Sequence, residues 1–457
     1  MGRRQAYVAA RSQAWRPILH GALAREAKRS ISRIAASLET PSAPRIRHEE
    51  LFPHSLAYGD AGIGLFFCYL ARTQRAPRAT AVARRRLSNA LAGLGAVTMG
   101  PDLFHGFSGV LWCHEHARPF LWSGMRRTRS EANAFLQADQ VLDRWVRTAD
   151  SAELMFGVGG LCIYALERRG RNPRRLLRSA VQGLLRLARP REHGLAWPVP
   201  PKAAALIADD ADSHGEHELA TFLRAAGVYK PGVAHGTAGV LLALMSAWPI
   251  AGTARLREVM SLGANQLMLS AREKRHAAFP FVMGHADDQE QSGWCNGDLG
   301  IAAALVFVAV RLRRRDLYEF GLRVALSEAG RQRNDLEWFG RSNPILCHGH
   351  AGRAHLLNRL YQLTGISTFK SSAIAWYENV LALAQRNQGV GGFVVLERLA
   401  EPKSVAGFLM GAAGIGLSLL AGCSTVLPNW DRLLIGYPPS SAEFRVWEKA
   451  EFRGRTL

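Results

Sequence analysis

An all-α toroid of seven helix-pair repeats with glycine-rich inner helices is the fold this sequence predicts. Three observations carry that expectation. One short glycine signature occurs seven times, a mainly apolar helical stretch follows each copy, and amphipathic stretches with basic faces lie between the copies.

The signature is a pair of glycines three residues apart. It reads YGDAGIGLFF at Gly59/Gly62, HGFSGVLW at Gly106/Gly109 and FGVGGLCIYAL at Gly157/Gly160. It returns as HGTAGVLLALM at Gly236/Gly239, CNGDLGIAAALVFV at Gly297/Gly300, CHGHAGRAHLL at Gly349/Gly352 and MGAAGIGLSLL at Gly411/Gly414. Helices that are apolar nearly all round are buried on every side, so the seven glycine helices form an inner ring. The stretches between them, such as Ala81 to Val97, Arg174 to Ala188 and Asp316 to Gly330, alternate apolar and basic faces and enclose that ring. Glycine costs about 1 kcal/mol relative to alanine inside a helix, so two per helix start imply close backbone approach there. The intervals suit helix–loop–helix units, strand signals are sparse, and neither end of the series looks like a polar capping repeat. Closure therefore fits better than an open array.

Within 457 residues, the repeats mark residues 46–435 as the toroid, preceded by a basic N-terminal segment (1–45) and followed by a C-terminal tail (436–457). The chain is 48% hydrophobic and 21% charged, the composition of a globular protein with a large core. The arginine-rich start has no uninterrupted apolar stretch and reads as neither signal peptide nor anchor, which makes the cytoplasm the expected compartment. The uncharged stretch between Lys403 and Asp431 has the length of a membrane span, but its glycines and its repeat argue for a buried helix. The six cysteines, Cys68, Cys113, Cys162, Cys295, Cys347 and Cys423, are expected to be reduced, and most of them buried. The net charge of +21 comes from arginines scattered in short groups without interleaved aromatics. That pattern excludes a nucleic-acid groove and indicates a solvated basic surface, whose functional counterpart is attraction of an acidic peptide or peripheral contact with an anionic membrane.

Equivalent turns deliver equivalent positions to one rim of the ring, so differences among them are informative. Two residues before the first glycine, copies five and six carry Cys295 and Cys347; one before it, copies two, four and six carry His105, His235 and His348. Four before it, copy three carries Glu153. A buried cysteine is ordinarily an inert thiol. Two in register beside a histidine form a Cys2His set that suits a single Zn²⁺ and leaves the fourth tetrahedral position open, the arrangement of a catalytic rather than a structural ion. For His105 and His235 the competing reading is a hydrogen-bonded core histidine, and for Glu153 an acid favoured by a helix dipole. Cys113-His114-Glu115-His116 holds metal-binding residue types, but Pro119 and nearby arginines suggest an exposed helix end. Asp209, Asp210 and Asp212 with His214 read as a solvated loop, and His350 and His355, which flank the CHG turn, read either as groups supporting the ligands or as merely packed.

GVAHGTAGV, GWCNGDLGIA and LCHGHAGRAHLLNRLYQLTG resemble the lanthionine synthetase C-like family, and the similarity spans all seven repeats. The ending GFLMGAAGIGLSLLAG followed by NWDRLLIG is similar to the C-terminus of its stand-alone bacterial cyclases. The resemblance implies an α/α toroid with one zinc ion on Cys295, Cys347 and His348, an active-site histidine at His235 and an active-site acid at Glu153. It implies addition of peptide cysteine thiols to dehydroalanine or dehydrobutyrine, which forms thioether rings in a lanthipeptide precursor. The dehydrated precursor is the implied partner, with its dehydratase and exporter. Three departures bear on the substrate and the proton-transfer groups: ELMFG around Glu153 reads like the eukaryotic relatives, Gln291 replaces a basic residue, and Asn296 replaces a tyrosine. Two alternatives keep the same site, an enzyme that adds glutathione to dehydrated residues and a zinc-binding, peptide-binding scaffold without catalysis. A toroidal prenyltransferase also activates a thiol on zinc, but its Asp/Cys/His ligand set fits the cysteine pair poorly.

Overall fold

All seven first glycines stand one residue ahead of a helix. The inner helices run Asp60–Gln74, Phe107–Leu121, Val158–Glu167, Thr237–Ala251, Asp298–Leu312, His350–Thr364 and Ala412–Cys423. The computed structural model describes residues 15–39, 46–74, 76–213, 216–225, 227–272, 277–285, 293–332, 343–386, 388–395 and 402–452. Each inner helix packs against the next and the seventh packs against the first, so the ring is closed. Every residue from Thr237 to Ala247, and from Ala412 to Gly422, is buried, as helices apolar on all sides require. The stretch suspected of membrane-span length thus contains an interior helix. Among the described residues no helix is long and apolar enough to cross a membrane.

Outside the ring lie Pro77–Gly93, Arg129–Thr148, Arg171–Leu187, Ala254–Leu269, Arg315–Gly330 and Ser367–Ala382. The helix over Arg129–Thr148 starts with a capping box: Thr128 Oγ1 accepts from the Glu131 N–H at 3.1 Å, and the Glu131 carboxylate accepts from the Thr128 N–H at 2.9 Å. The outer partner of the seventh inner helix is Gly21–Glu39, from the basic N-terminal segment, which buries Ala27, Ile31, Ile34 and Leu38. The outer layer of the seventh repeat thus comes from the segment that precedes the first. Not every arginine of the outer layer is solvated: Arg86 is buried, donating to Asp60 and to the Leu38 carbonyl, each at 2.7 Å.

Glycine at the second position of the signature is required by the turn itself. A Cβ there would strike the carbonyl oxygen six residues earlier, Leu56 for Gly62, Trp294 for Gly300 and Leu346 for Gly352, and in most copies also a side chain of the preceding repeat. The first glycine is the residue at which the chain enters the helix in extended conformation, not a member of the first turn.

One closed circuit of backbone hydrogen bonds links the turns. Ala57 N–H donates to Phe104 O (2.9 Å), Leu103 to Met155 (3.2 Å), Met155 to Ala234 (3.3 Å) and Ala234 to Cys295 (2.9 Å). Cys295 donates to Cys347 (3.3 Å), Cys347 to Leu409 (3.2 Å) and Leu409 back to Ala57 (3.3 Å). Buried peptide groups that no helix can satisfy are satisfied here by the adjacent repeat.

Between the third and fourth repeats the chain inserts a short antiparallel hairpin, Arg189–Arg191 with Gly194–Ala196, and the helices Pro201–Ser213 and His217–Ala225. The two helices have a small core of their own around Ala208, Leu223 and Val282. Asp209 therefore sits on a helix, paired with Arg224 at 2.7 Å, and not in the loop its composition suggested; His214 lies outside the described residues. At the other end of the sequence Asn429–Asp431 and Arg432–Ile435 are buried against the inner helices. Asp431 pairs with His355 (2.9 Å) and Arg359 (2.6 Å), Arg432 with Glu167 (3.1 Å), and the Trp294 indole donates to Leu434 O (2.7 Å). This segment ties the third, fifth and sixth repeats together.

Candidate active site

In each of the seven turns one residue is half-exposed and the residue before it is buried. The half-exposed set is Tyr58, His105, Phe156, His235, Asn296, His348 and Met410. The buried set, Ala57, Phe104, Met155, Ala234, Cys295, Cys347 and Leu409, lies on the hydrogen-bonded circuit, with Leu103 supplying the N–H in the second turn. The same main-chain bonds fix the buried residue of every turn, so the residue that follows it occupies an equivalent, half-exposed place at the rim in each copy.

Copies five and six meet most closely. Trp294 and Cys295 both direct their N–H groups at Cys347 O, at 3.0 and 3.3 Å. Gly293, at φ 148°, lies against His348, where a Cβ would run into the His348 backbone. The ligating atoms of Cys295, Cys347 and His348 lie within 4.8 Å of one another, with Cys295 Sγ 4.0 Å from His348 Nδ1. The adjacent cysteine and histidine of copy six reach one place because the turn is tight and Gly349 follows.

The electrostatics single out Cys295 among the cysteines. Burial pushes the Cys68 and Cys162 thiols up to about 12, and Cys423 to about 11. Cys295, although buried, is held well below the ordinary thiol range by a hydrogen bond from Cys347 and by His348 beside it; Cys347 is correspondingly driven up. Two sulfurs and an imidazole that share a thiolate within this span suit a divalent ion with bonds of about 2.3 Å to sulfur and about 2.0 Å to nitrogen. The donor set fits zinc. Among the described residues no other group of three such side chains comes together.

His235 stands on the next turn back, and its Nδ1 is hydrogen-bonded to the Glu153 carboxylate. Gly157 makes room for this: a Cβ there would collide with the Glu153 backbone. Ala234 N–H to Cys295 O couples the His235 turn to the cysteine turn. Trp197, Pro198, Val199 and Pro200, at the base of the insertion, line a small cavity with Glu153 and His235. Glu153 thus has a partner, and its carboxylate engages Nδ1 of His235.

The family model for lanthionine synthetase C-like proteins matches residues 50–435. The chain belongs to the lanthionine synthetase C-like family. Among solved structures, nisin cyclase matches with 15% identity and a TM-score of 0.66, over 93% of this chain and 98% of that one. At that identity the likeness establishes the toroid fold. Two unsaturated glucuronyl hydrolases follow: one specific for heparin (10% identity, 79% of this chain and 97% of that chain, TM-score 0.39), and one from Bacillus sp. GL1 (13%, 80% and 98%, 0.38). Their TM-scores support no argument about this protein. No curated protein matches the sequence.

The other candidates separate from the centre of this lanthionine synthetase C-like ring. His105 is on the rim, across Phe156 from His235, with ring centroids at 4.9 Å and 5.5 Å from the phenyl. Cys113-His114-Glu115-His116 is not an exposed helix end, because the helix continues through Pro119 and buries both histidines. His116 bonds Tyr69 Oη (2.9 Å) and Glu167 (3.0 Å), and His114 stacks on Trp122 at 4.6 Å; both are packed, and neither belongs to the group formed by Cys295, Cys347 and His348. His350 packs on Trp376 and His355 pairs with Asp431 in the core. Asn296 is at the rim, and Gln291 lies outside the described residues.

Sequence reasoning passed over Tyr58 and Phe156, which occupy the same register as the histidines. It also missed Asp102, whose carboxylate accepts the N–H groups of Phe104 (3.1 Å), His105 (2.7 Å) and Gly106 (3.1 Å). The register was the available signal for the aromatics. An acid three residues before a histidine gives no comparable warning.

Proposed function

We propose that this protein is a zinc-dependent lanthionine cyclase, which adds cysteine thiols of a peptide to dehydroalanine or dehydrobutyrine in the same chain. The observation that carries the proposal is the convergence of Cys295, Cys347 and His348 within 4.8 Å, one turn from the hydrogen-bonded His235–Glu153 pair. Zinc held by the three donors would supply a cation that favours the thiolate of an incoming cysteine over its thiol.

The rest falls to side chains of the chain. Glu153 fixes the tautomer and orientation of His235 and stabilises its imidazolium, so Nε2 serves as the proton-transfer atom. As the new C–S bond forms, the C=C π pair moves to the α-carbon as an enolate. His235 takes up the thiol proton and delivers a proton to that carbon, so atoms balance and no other reactant is needed. The half-buried rim limits water around the nucleophile. A dehydrated precursor peptide is then the partner, with its dehydratase and exporter, and the cytoplasm the compartment.

The experiment is direct. A synthetic peptide with one dehydroalanine and one cysteine is incubated with zinc-loaded protein, and free thiol is followed by alkylation and mass spectrometry. Thiol disappears at unchanged peptide mass if the proposal holds. Persistent thiol, or addition of glutathione in preference to ring closure when both are offered, rejects it.

A further inference from the structure

One arc of the rim is aromatic, and apart from His235 its residues have no part in the chemistry described so far. The rings of Tyr58, His105, Phe156 and His235 touch in series, with centroids 5.5, 4.9 and 5.5 Å apart. A second layer backs them. Phe52 stacks on His105 at 4.5 Å, nearly parallel at 19°, and His48 stacks on Tyr58 at 5.0 Å. Going round the rim, this arc ends at His235, and Asn296, His348 and Met410 complete the circle.

Aromatic packing at half-exposed positions needs a reason, because these faces would gain more from full burial. The turn carrying His105 is fixed by a side chain as well as by the main-chain circuit. Asp102 holds three consecutive N–H groups of that turn, and Ser108 Oγ donates to Asp102 O at 2.8 Å. Among the described residues neither imidazole nitrogen of His105 has a hydrogen-bond partner. Burial, with the charges of His48 and His235, brings its pKa down to about 4, so the ring is neutral at ordinary pH. An immobilised, uncharged imidazole set in an aromatic row is suited to a flat, uncharged, conjugated ligand.

On the reading of this site as one that joins a thiol to a dehydrated residue, we infer that Tyr58, His105 and Phe156 form the subsite for the acceptor. The face of the dehydroalanine or dehydrobutyrine amide lies on the aromatic arc, and a His105 nitrogen hydrogen-bonds its peptide group. The unsaturated residue is planar through its α-carbon and conjugated with its carbonyl, so it stacks; a saturated residue, tetrahedral there, does not. Thiol and acceptor then approach from opposite arcs, with His235 at the junction where the proton must move. His105 is a specificity and positioning residue in this account.

The test uses binding of a peptide that cannot react. A peptide with one dehydroalanine and no cysteine, and its alanine twin, are titrated calorimetrically into zinc-loaded protein. The wild type is expected to prefer the unsaturated peptide by about three- to tenfold, the range of an aromatic contact. His105→Ala and Phe156→Leu should each abolish most of that preference while zinc content stays unchanged, and His105→Phe should keep the stacking part. Equal or undetectable binding of the two peptides by the wild type, or full preference in both His105→Ala and Phe156→Leu, overturns the subsite. Because no thiol takes part, the result is independent of ring closure. Preference without cyclisation rejects the cyclase reading alone, and cyclisation without preference rejects the subsite alone.

Discussion

The N–H of Ala234 donates to the carbonyl oxygen of Cys295 at 2.9 Å. That bond joins the turn presenting His235 to the turn presenting the first of two paired thiols. It is one segment of a circuit through all seven repeats, made entirely by main-chain atoms. The positions of the site's side chains are therefore set by the backbone of the whole ring, and replacing one side chain leaves that frame in place.

Metal binding should consequently be separable from folding. Cys295→Ala and Cys347→Ala keep the N–H and C=O groups of the circuit and remove one of three donors. Zinc retained after dialysis is expected to fall by more than about a hundredfold in affinity, beyond the loss typical of outer-sphere changes. Far-UV circular dichroism should retain the helical signal. Metal analysis with wild-type zinc content in either variant would contradict the assignment of the ligands.

Proton transfer should be separable from metal. His235→Asn preserves a polar side chain of similar reach beside Glu153 but cannot carry a proton. Ring closure should slow by about 10²- to 10⁴-fold, the usual range for a positioned acid–base group, at unchanged zinc content. Glu153→Gln, which keeps the contact with Nδ1 but removes the charge, should fall between the wild type and His235→Asn. Single-turnover rates measured with zinc-loaded proteins decide this, and a wild-type rate in His235→Asn removes the residue from the chemistry.

The repeat was legible because glycine at i and i+3 is the direct imprint of a steric demand, the carbonyl of each turn lying where a Cβ would be. The same register puts Cys295, Cys347, His348 and His235 into one group, and the structure brings their turns together on one side of the ring. What stayed hidden depends on contacts between distant segments. Gly21–Glu39 has an amphipathic pattern, but only packing shows that it covers the seventh inner helix. Pro119 suggests a terminus beside Cys113-His114-Glu115-His116, whereas proline near the end of this helix leaves the preceding turns intact and both histidines of the motif buried. The partnership of Asp431 with Arg359 and His355 spans more than seventy positions, and no local pattern announces it.

Glycine at the second position should tolerate no side chain in the turn that carries the ligands. In Gly352→Ala the new methyl group meets the Leu346 carbonyl oxygen, the residue before Cys347, so the turn must move or the helix must start elsewhere. The expected outcome is loss of about 3 kcal/mol or more of stability, or no soluble protein. Gly365→Ala, with no atom near the added Cβ, meets no such clash, although its φ of 79° carries a smaller strain. Thermal midpoints of the two variants should rank with Gly352→Ala far lower, and a comparable effect of both would refute the steric argument.

Asp431 should make the ring acid-labile. It is fully buried, which alone would raise its pKa, yet the charge of Arg359 and the hydrogen bond from His355 hold it below the ordinary carboxylate value. A carboxyl depressed in the folded state contributes stability that is present above its unfolded pKa and is lost as pH falls through the folded one. Asp431→Asn removes the charge but can still accept from His355 or Arg359, and leaves Arg359 partly buried without its counter-charge; a loss of about 3 kcal/mol at pH 7 is expected. Its stability relative to the wild type should recover on acidification, because protonation of Asp431 costs the wild type the same interaction. Denaturant midpoints measured from pH 7 down to pH 3 test both statements. A wild type and variant that differ equally at every pH would show that the carboxylate charge is not what holds the C-terminal segment in the ring.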